Sequence, residues 1–413
     1  MPTAKTSFPK GKIHVVLLEG VHARGAALME SEGFHVESLP SSPDPAKLKA
    51  LLASAHIVGV RSKTRLPTEL LDQAPRLLAI GCFCIGTDQV ALTHARSKGI
   101  PVFNAPFSNT RSVAELTIAE VIALHRGLLD KSAQMHAGKW DKSAAGAHEV
   151  RGRTLGIVGY GHIGSQVSVL AEAMGMRVVY HDIVPRLPMG NARPLRTLAE
   201  LLKEADVVTL HVPSTPATAN LIGSKQLRSM KAGAVLINNA RGSVVDVHAL
   251  AESLKSGRLA GAALDVFPHE PSGKGEAFES PLRGIPGVIL TPHVGGSTEE
   301  AQETIATDVA EKLLRFINVG STTGAVNVPE VELPEQQGAA RAHRILHFHR
   351  NVPGVLSTMH AIIAREGANI SAEYLRTNED VGYVVLDADP KDAKKVMEAL
   401  RKVPETIRVR MLW

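Results

Sequence analysis

Cysteine is almost missing from this chain. Cys82 and Cys84 are the only two in 413 residues, which argues against a disulfide scaffold or a zinc quartet and predicts a reducing compartment, the cytoplasm. Aromatic residues are scarce too, at 4%, whereas single-strand nucleic-acid binders interleave aromatic platforms with a basic groove. Neither sign of charge dominates: 46 Lys and Arg face 41 Asp and Glu, too thin and scattered a surplus for a nucleic-acid footprint, though it suits small anions. No run reaches the roughly 18 apolar residues that mark a membrane span. Met1 to Lys10 carries lysines without an apolar export core, so neither spanning nor export is expected. Solenoid repeats and low-complexity tracts are absent as well.

What remains is ordinary globular composition, 44% hydrophobic and 21% charged, on a chain long enough for about three domains. Short apolar runs, Ile13 to Leu18, Ile57 to Val60, Leu77 to Ile80 and Val102 to Phe103, alternate with helix-like stretches. That rhythm, without hairpin signals, predicts a parallel sheet covered on both faces. Asn109 to Ala137 reads as one long helix. Six more buried-strand candidates follow: Leu155 to Gly159, Arg177 to His181, Asp206 to His211, Ala234 to Asn238, Gly261 to Val266 and Val288 to Leu290, a complete doubly wound unit. Ser297 to Ile317 reads as a second long helix with a capping box between Ser297 and Glu300. Gly320 to Gly338 reads as a linker. Beyond it the order strand, helix, strand, strand, helix, strand predicts a ferredoxin-like module.

Gly159-Tyr160-Gly161-His162-Ile163-Gly164 follows an apolar strand and opens a helix, and Asp182 ends the next strand. Glycines there let the backbone approach a pyrophosphate, which the free amides of the helix start attract. Asp182 suits the ribose hydroxyls of NAD, with Arg186 close enough to leave NADP open. In a doubly wound sheet, ligands gather at the carboxyl ends of strands, and those ends carry Gly161, Asp182, His211, Arg241, Asp265 and His293 in turn. Arg241 suits a bidentate grip on a carboxylate. Glu270 beside His293 would raise the imidazole pKa and fix its tautomer for proton transfer near neutral pH. No metal site is expected: Cys82 and Cys84 border an apolar strand, and His343 and His347 lie in strand-like surroundings. Trp140 suits either a subunit contact or a core cap.

The segments Asn104 to Glu115, Gly159 to Gly164, Arg241 to Asp246, Asp265 to Pro271 and Thr291 to Thr298 resemble the D-isomer-specific 2-hydroxyacid dehydrogenases, and within them the branch that oxidises 3-phosphoglycerate at the entry to L-serine synthesis. The resemblance spans nearly the whole chain. It implies two doubly wound parallel-sheet domains: a discontinuous substrate domain, residues 1–104 with 298–330, and an inserted NAD-binding Rossmann domain, residues 105–297. It further implies that Arg241, Glu270 and His293 are catalytic, and that Arg61, Ser62 and Asn109 bind substrate, with Lys142 a further candidate for the phosphate. For the cofactor it implies Gly159, Gly161, His162, Ile163, Gly164, Asp182, His211, Ala240, Asp265 and Gly296. A reductive side activity on 2-oxoglutarate and a homotetramer go with it. Related dehydrogenases acting on glycerate or 2-hydroxyglutarate share the trio, as do non-catalytic NAD-sensing corepressors.

The tail, residues 339–413, resembles an ACT domain, an amino-acid-sensing module, through His349 to Leu356 and Gly367 to Ile370. That implies L-serine feedback with His349, Asn351 and Asn369 as effector ligands. Where relatives carry a paired glycine before the module, this chain has Gln337-Gly338-Ala339-Ala340, which places the hinge instead at Gly295 and Gly296.

Overall fold

The computed structural model describes residues 9–271, 276–334, 343–389 and 393–412. The altered segment Gln337 to Ala340 therefore lies outside the described residues. The chain divides into two compact units, Met1–Ser108 with Gln302–Trp413, and Asn109–Ala301.

The first unit opens with five parallel strands, β1 (His14–Leu17), β2 (His35–Ser38), β3 (Ile57–Val60), β4 (Ala79–Cys82) and β5 (Val102–Asn104), in the order β2-β1-β3-β4-β5. β3 and β4 are buried at every position, as strands with helices on both faces must be. β2 was not expected from sequence. It is an edge strand, His-Val-Glu-Ser, and its exposed or half-buried side chains offer no apolar run to read. The chain winds outward in both directions from β1 and β3, so the loops after them, at Glu19 and Arg61, flank a topological switch point.

The second unit is a seven-stranded parallel sheet of β6 (Thr154–Val158), β7 (Arg177–His181), β8 (Arg193–Pro194), β9 (Val207–Leu210), β10 (Val235–Asn238), β11 (Gly261–Leu264) and β12 (Val288–Leu290). Its order is β12-β11-β10-β9-β6-β7-β8. Two hydrophobic clusters cover its faces, one around Leu236 and Leu264, the other around Ile157 and Val167. The extra strand, β8, is two exposed residues long and contains a proline, tolerated only at an edge. The long helix expected from Asn109 to Ala137 is two helices, Thr110–Arg126 and Leu128–His136. They part at Gly127, whose left-handed φ of 55° lets its amide close on the carbonyls of Ala123 and Leu124. The helix after this sheet spans Glu299–Val319, and its start is capped by Thr298, whose hydroxyl accepts from the Ala301 amide at 3.1 Å.

The tail forms an antiparallel sheet of β13 (His343–Arg350), β14 (Ile370–Thr377), β15 (Val381–Ala388) and β16 (Thr406–Leu412), ordered β14-β15-β13-β16. One face packs its own helices, Val355–Arg365 and Ala393–Arg401, around Met359 and Val396. Leu346, Phe348 and Tyr383 on the other face share a core with Phe103 and Phe316. Arg344, wholly buried, forms a two-pronged ion pair with Asp387 and donates to the carbonyls of Val319, Leu333 and Pro334.

Candidate active site

In the second unit, β6 runs into the glycine-rich turn and the helix His162–Ala173. A side chain at Gly164 would meet the Gly159 carbonyl at 2.3 Å, so only glycine lets helix and turn close; at Gly161 a Cβ would face open space. Asp182, at the end of β7, accepts the Tyr160 amide at 2.8 Å and the Val184 amide at 2.9 Å. It thereby ties the glycine turn to the neighbouring strand, and Arg186 stands 3.9 Å from the same carboxylate. His211, after β9, keeps one ring nitrogen on the Thr209 hydroxyl at 3.0 Å, while its buried Nδ1 has no partner among the described residues. Burial drives its pKa down to about 3, so the ring is neutral. These features fit a dinucleotide: an unobstructed backbone turn, an acidic strand end and a buried polar atom awaiting a partner.

Arg241 follows β10. The Asn238 amide donates to the Arg241 carbonyl at 3.0 Å, and its side-chain oxygen accepts the Ala240 amide at 3.2 Å. Gly242 then passes so near the next loop that a Cβ would lie 2.0 Å from the Phe267 carbonyl carbon. That approach brings the arginine loop beside the Phe267-Pro268 backbone leading to Glu270. Glu270 accepts the Phe267 amide at 3.1 Å with one oxygen, and the other oxygen holds His293 Nδ1 at 2.8 Å.

His293 has a left-handed backbone, φ 55°, which a side chain other than glycine or asparagine adopts at some cost. Asp265 fixes the surrounding turn. It accepts from the Thr291 hydroxyl at 2.5 Å and from the amides of Val294 and Gly295 at 2.8 and 2.7 Å. The hydrogen bond to Glu270 raises the His293 pKa above its ordinary value, against burial and the Arg241 charge. Burial opposes ionisation of Glu270, but the His293 hydrogen bond and charge, the Phe267 amide and Arg241 together hold it below the usual carboxylate range. The geometry is that of a proton carrier with an oriented tautomer: Nδ1–H on the carboxylate, Nε2 free for an exchangeable proton.

Asn109 precedes the Thr110–Arg126 helix; its buried side-chain oxygen has no partner among the described residues, and Gly296 packs so closely that a Cβ there would lie 2.3 Å from its amide nitrogen. Lys142 is exposed on the segment after the Leu128–His136 helix, without a hydrogen bond to the trio among the described residues. In the first unit Arg61 is half-buried after β3 and Ser62 is exposed. In the tail His349 is buried with Nε2 unpartnered among the described residues, the Asn351 side chain donates to the Asn378 carbonyl at 2.7 Å, and the Asn369 backbone N–H donates to the Asp389 carboxylate at 2.7 Å. Among the described residues no cluster of three or more His, Cys, Asp or Glu has the arrangement of a metal site, and no helix is long and apolar enough to cross a membrane.

Sequence reasoning missed one part of this cluster. Asn239 donates to Glu120 at 2.7 Å and to the Thr117 hydroxyl at 3.1 Å, beneath the Arg241 loop. Burial raises the Glu120 pKa to about 7. A glutamate on the apolar face of the Thr110–Arg126 helix was the available signal.

Residues 118–295 match the NAD-binding domain of D-isomer specific 2-hydroxyacid dehydrogenases, and residues 345–408 the AHAS small subunit-like ACT domain. The chain belongs to the D-isomer-specific 2-hydroxyacid dehydrogenases and is an NAD-dependent dehydrogenase with a C-terminal ACT domain. It is 50% identical to D-3-phosphoglycerate dehydrogenase of Haemophilus influenzae, with 100% of both chains covered. Against the Escherichia coli K12 enzyme of the same name it is 49% identical over 99% of this chain and 100% of that one. Among solved structures, Aquifex aeolicus D-lactate dehydrogenase complexed with NAD and lactic acid matches with a TM-score of 0.64 at 30% identity, covering 73% of this chain and 95% of that one.

Proposed function

We propose that this dehydrogenase oxidises 3-phospho-D-glycerate to 3-phosphohydroxypyruvate, the entry step of L-serine synthesis. The observation that carries the chemistry is the 2.8 Å bond between Glu270 and His293. Full-length similarity to enzymes named for phosphoglycerate supports the substrate. His293 Nε2 takes the proton of the C2 hydroxyl as that carbon gives up its hydride. The nicotinamide of bound NAD supplies the hydride acceptor. Glu270 stabilises the imidazolium that forms, and Arg241 grips the substrate carboxylate and polarises the developing carbonyl. Arg61 binds the phosphate, which carries more charge than one arginine balances, with Lys142 the second candidate for it and Ser62 and Asn109 as further substrate ligands. Gly159, Gly161, His162, Ile163, Gly164, Asp182, His211, Ala240, Asp265 and Gly296 form the cofactor cradle.

Feedback by L-serine through the tail belongs to the same reading. His349 offers a buried ring nitrogen without a partner among the described residues, and Asn351 and Asn369 supply side-chain amides suited to ammonium, carboxylate and hydroxyl. An assembly of several copies is part of it: Trp140 is 79% exposed, and Leu128, Leu129 and Met135 of the preceding helix are exposed as well. The deciding assay follows absorbance at 340 nm with NAD and 3-phosphoglycerate, D-glycerate or 2-hydroxyglutarate, and in reverse with NADH and 2-oxoglutarate. A higher kcat/KM for 3-phosphoglycerate is expected; preference for D-glycerate or 2-hydroxyglutarate overturns the substrate. L-serine should inhibit, several-fold less in Asn351→Ala and Asn369→Ala with uninhibited activity retained. No response in the unaltered enzyme would leave the tail structural.

A further inference from the structure

The loop after β1 contains a glutamate in an unexpected place. Glu19 has a left-handed backbone, φ 63°, yet is not a glycine, and it is 9% exposed. Such a backbone is unfavourable for a residue with a side chain and persists only where the surroundings over-determine it. The side chain accounts for it. Its Oε1 accepts the Thr64 amide at 2.7 Å and the Arg61 amide at 3.3 Å, while Oε2 accepts the Lys63 amide at 2.9 Å. All three donors belong to the turn that follows β3.

The same turn is gripped from the other side. Gln89 donates to the Arg61 carbonyl at 2.6 Å, and the Thr64 hydroxyl donates to Ser42 at 2.9 Å. Among the described residues the Arg61 guanidinium makes one long hydrogen bond, 3.5 Å to the Glu19 carbonyl, and no ion pair. Its backbone is thus fixed while its charge stays uncommitted. An ion pair with Glu19 would spend that charge. Glu19 instead turns its carboxylate to the main chain beneath, so the turn is ordered without neutralising the arginine it presents.

We propose that Glu19 is a positioning residue for substrate recognition: its carboxylate folds the Arg61-to-Thr64 turn into an anion-receiving form. This rests on the reading of Arg61 as a phosphate ligand. A buried acceptor serving three amides is hard to replace, because glutamine retains one accepting oxygen and turns an amide group toward a donor. Loss of Glu19 therefore loosens the placement of the Arg61 and Ser62 side chains, without touching the proton carrier on the other unit.

The test compares Glu19→Gln, Glu19→Gly and Arg61→Ala in the full-length enzyme. KM for 3-phosphoglycerate, for D-glycerate and for NAD, kcat, and the thermal midpoint are measured for each. Glu19→Gly is informative because glycine accepts the left-handed backbone without strain, so removal of the carboxylate is not confounded by the turn of β1. Both Glu19 variants are expected to raise KM for 3-phosphoglycerate about tenfold, with kcat and the KM values for NAD and D-glycerate within about twofold. Arg61→Ala should show the same selectivity more strongly. A selective rise in Arg61→Ala without one in either Glu19 variant overturns the positioning role and leaves the phosphate reading standing. Equal losses on both substrates, or a lowered midpoint with unchanged KM, assign Glu19 to the fold. No selective effect in Arg61→Ala overturns the phosphate reading and the inference with it.

Discussion

In the loops of the second unit, His293 is half exposed and hydrogen bonded to an ionised carboxylate, whereas in the tail His347 is buried against the Thr406 hydroxyl and stacked on His349. The pKa of the first is raised by Glu270; burial drives that of the second down to about 3. The same imidazole is poised to hold a proton in one environment and kept neutral in the other. What separates them is a carboxylate partner, since both are partly or wholly withdrawn from water. The tail does hold a buried charge, Arg344, but there a carboxylate meets a guanidinium that never deprotonates, so the pair fixes structure and moves no proton.

The largest effect expected from this contrast is structural. Arg344→Leu leaves Asp387 buried without a counter-charge and removes donors from the carbonyls of Val319, Leu333 and Pro334, at a cost of about 3–5 kcal/mol. The urea unfolding midpoint should fall sharply. Adding Asp387→Leu should recover part of the loss, because replacing both partners of a buried pair is far gentler than removing one. A midpoint unmoved by Arg344→Leu would show that the tail does not depend on this pair.

Next in size, His293→Ala should lower kcat by about 10² or more while NAD binding, followed by fluorescence titration, is retained. The matching change His347→Ala should leave kcat nearly intact. Equal losses in the two variants would erase the distinction between the regions. Third, Asp182→Ala should weaken NAD use about tenfold and narrow the preference over NADP, because it removes a carboxylate from the strand end and also frees the Tyr160 amide and Arg186. Unchanged kcat/KM values for both cofactors would place the ribose contact elsewhere.

How much of this was legible beforehand follows from the range of the forces involved. Strands buried on both faces, such as Ile57–Val60 and Val235–Asn238, announce themselves as apolar runs. Edge strands are held by a neighbour's backbone, so His35–Ser38 and Arg193–Pro194 left no pattern. Gly127 split a helix whose apolar stripe continues on either side, and the capping hydroxyl came from Thr298 rather than its neighbour Ser297. The glycine turn and the strand-end residues were readable because their spacing is local. Glu19 and the Glu120–Asn239 contact were not, since their partners lie 42 and 119 residues away in the chain.

The smallest expected effect bears most directly on the carboxylate that separates the two histidines. Glu270→Gln keeps an oxygen able to accept from His293 Nδ1 but removes the negative charge. Burial and Arg241 both lower the His293 pKa, so without Glu270 nothing of comparable strength holds it up, and it falls. Oxidation needs the neutral imidazole, which exists above that pKa. The acid limb of kcat/KM for oxidation should therefore move to lower pH in the variant. Reduction needs the imidazolium, so its basic limb should move to lower pH as well. Each pH unit of displacement corresponds to about 1.4 kcal/mol of lost interaction between the carboxylate and the protonated ring. Profiles in both directions discriminate this from general damage, which lowers the plateau without moving the limbs. Limbs that stay in place would mean that a group other than His293 carries the proton, or that Glu270 only orients the ring.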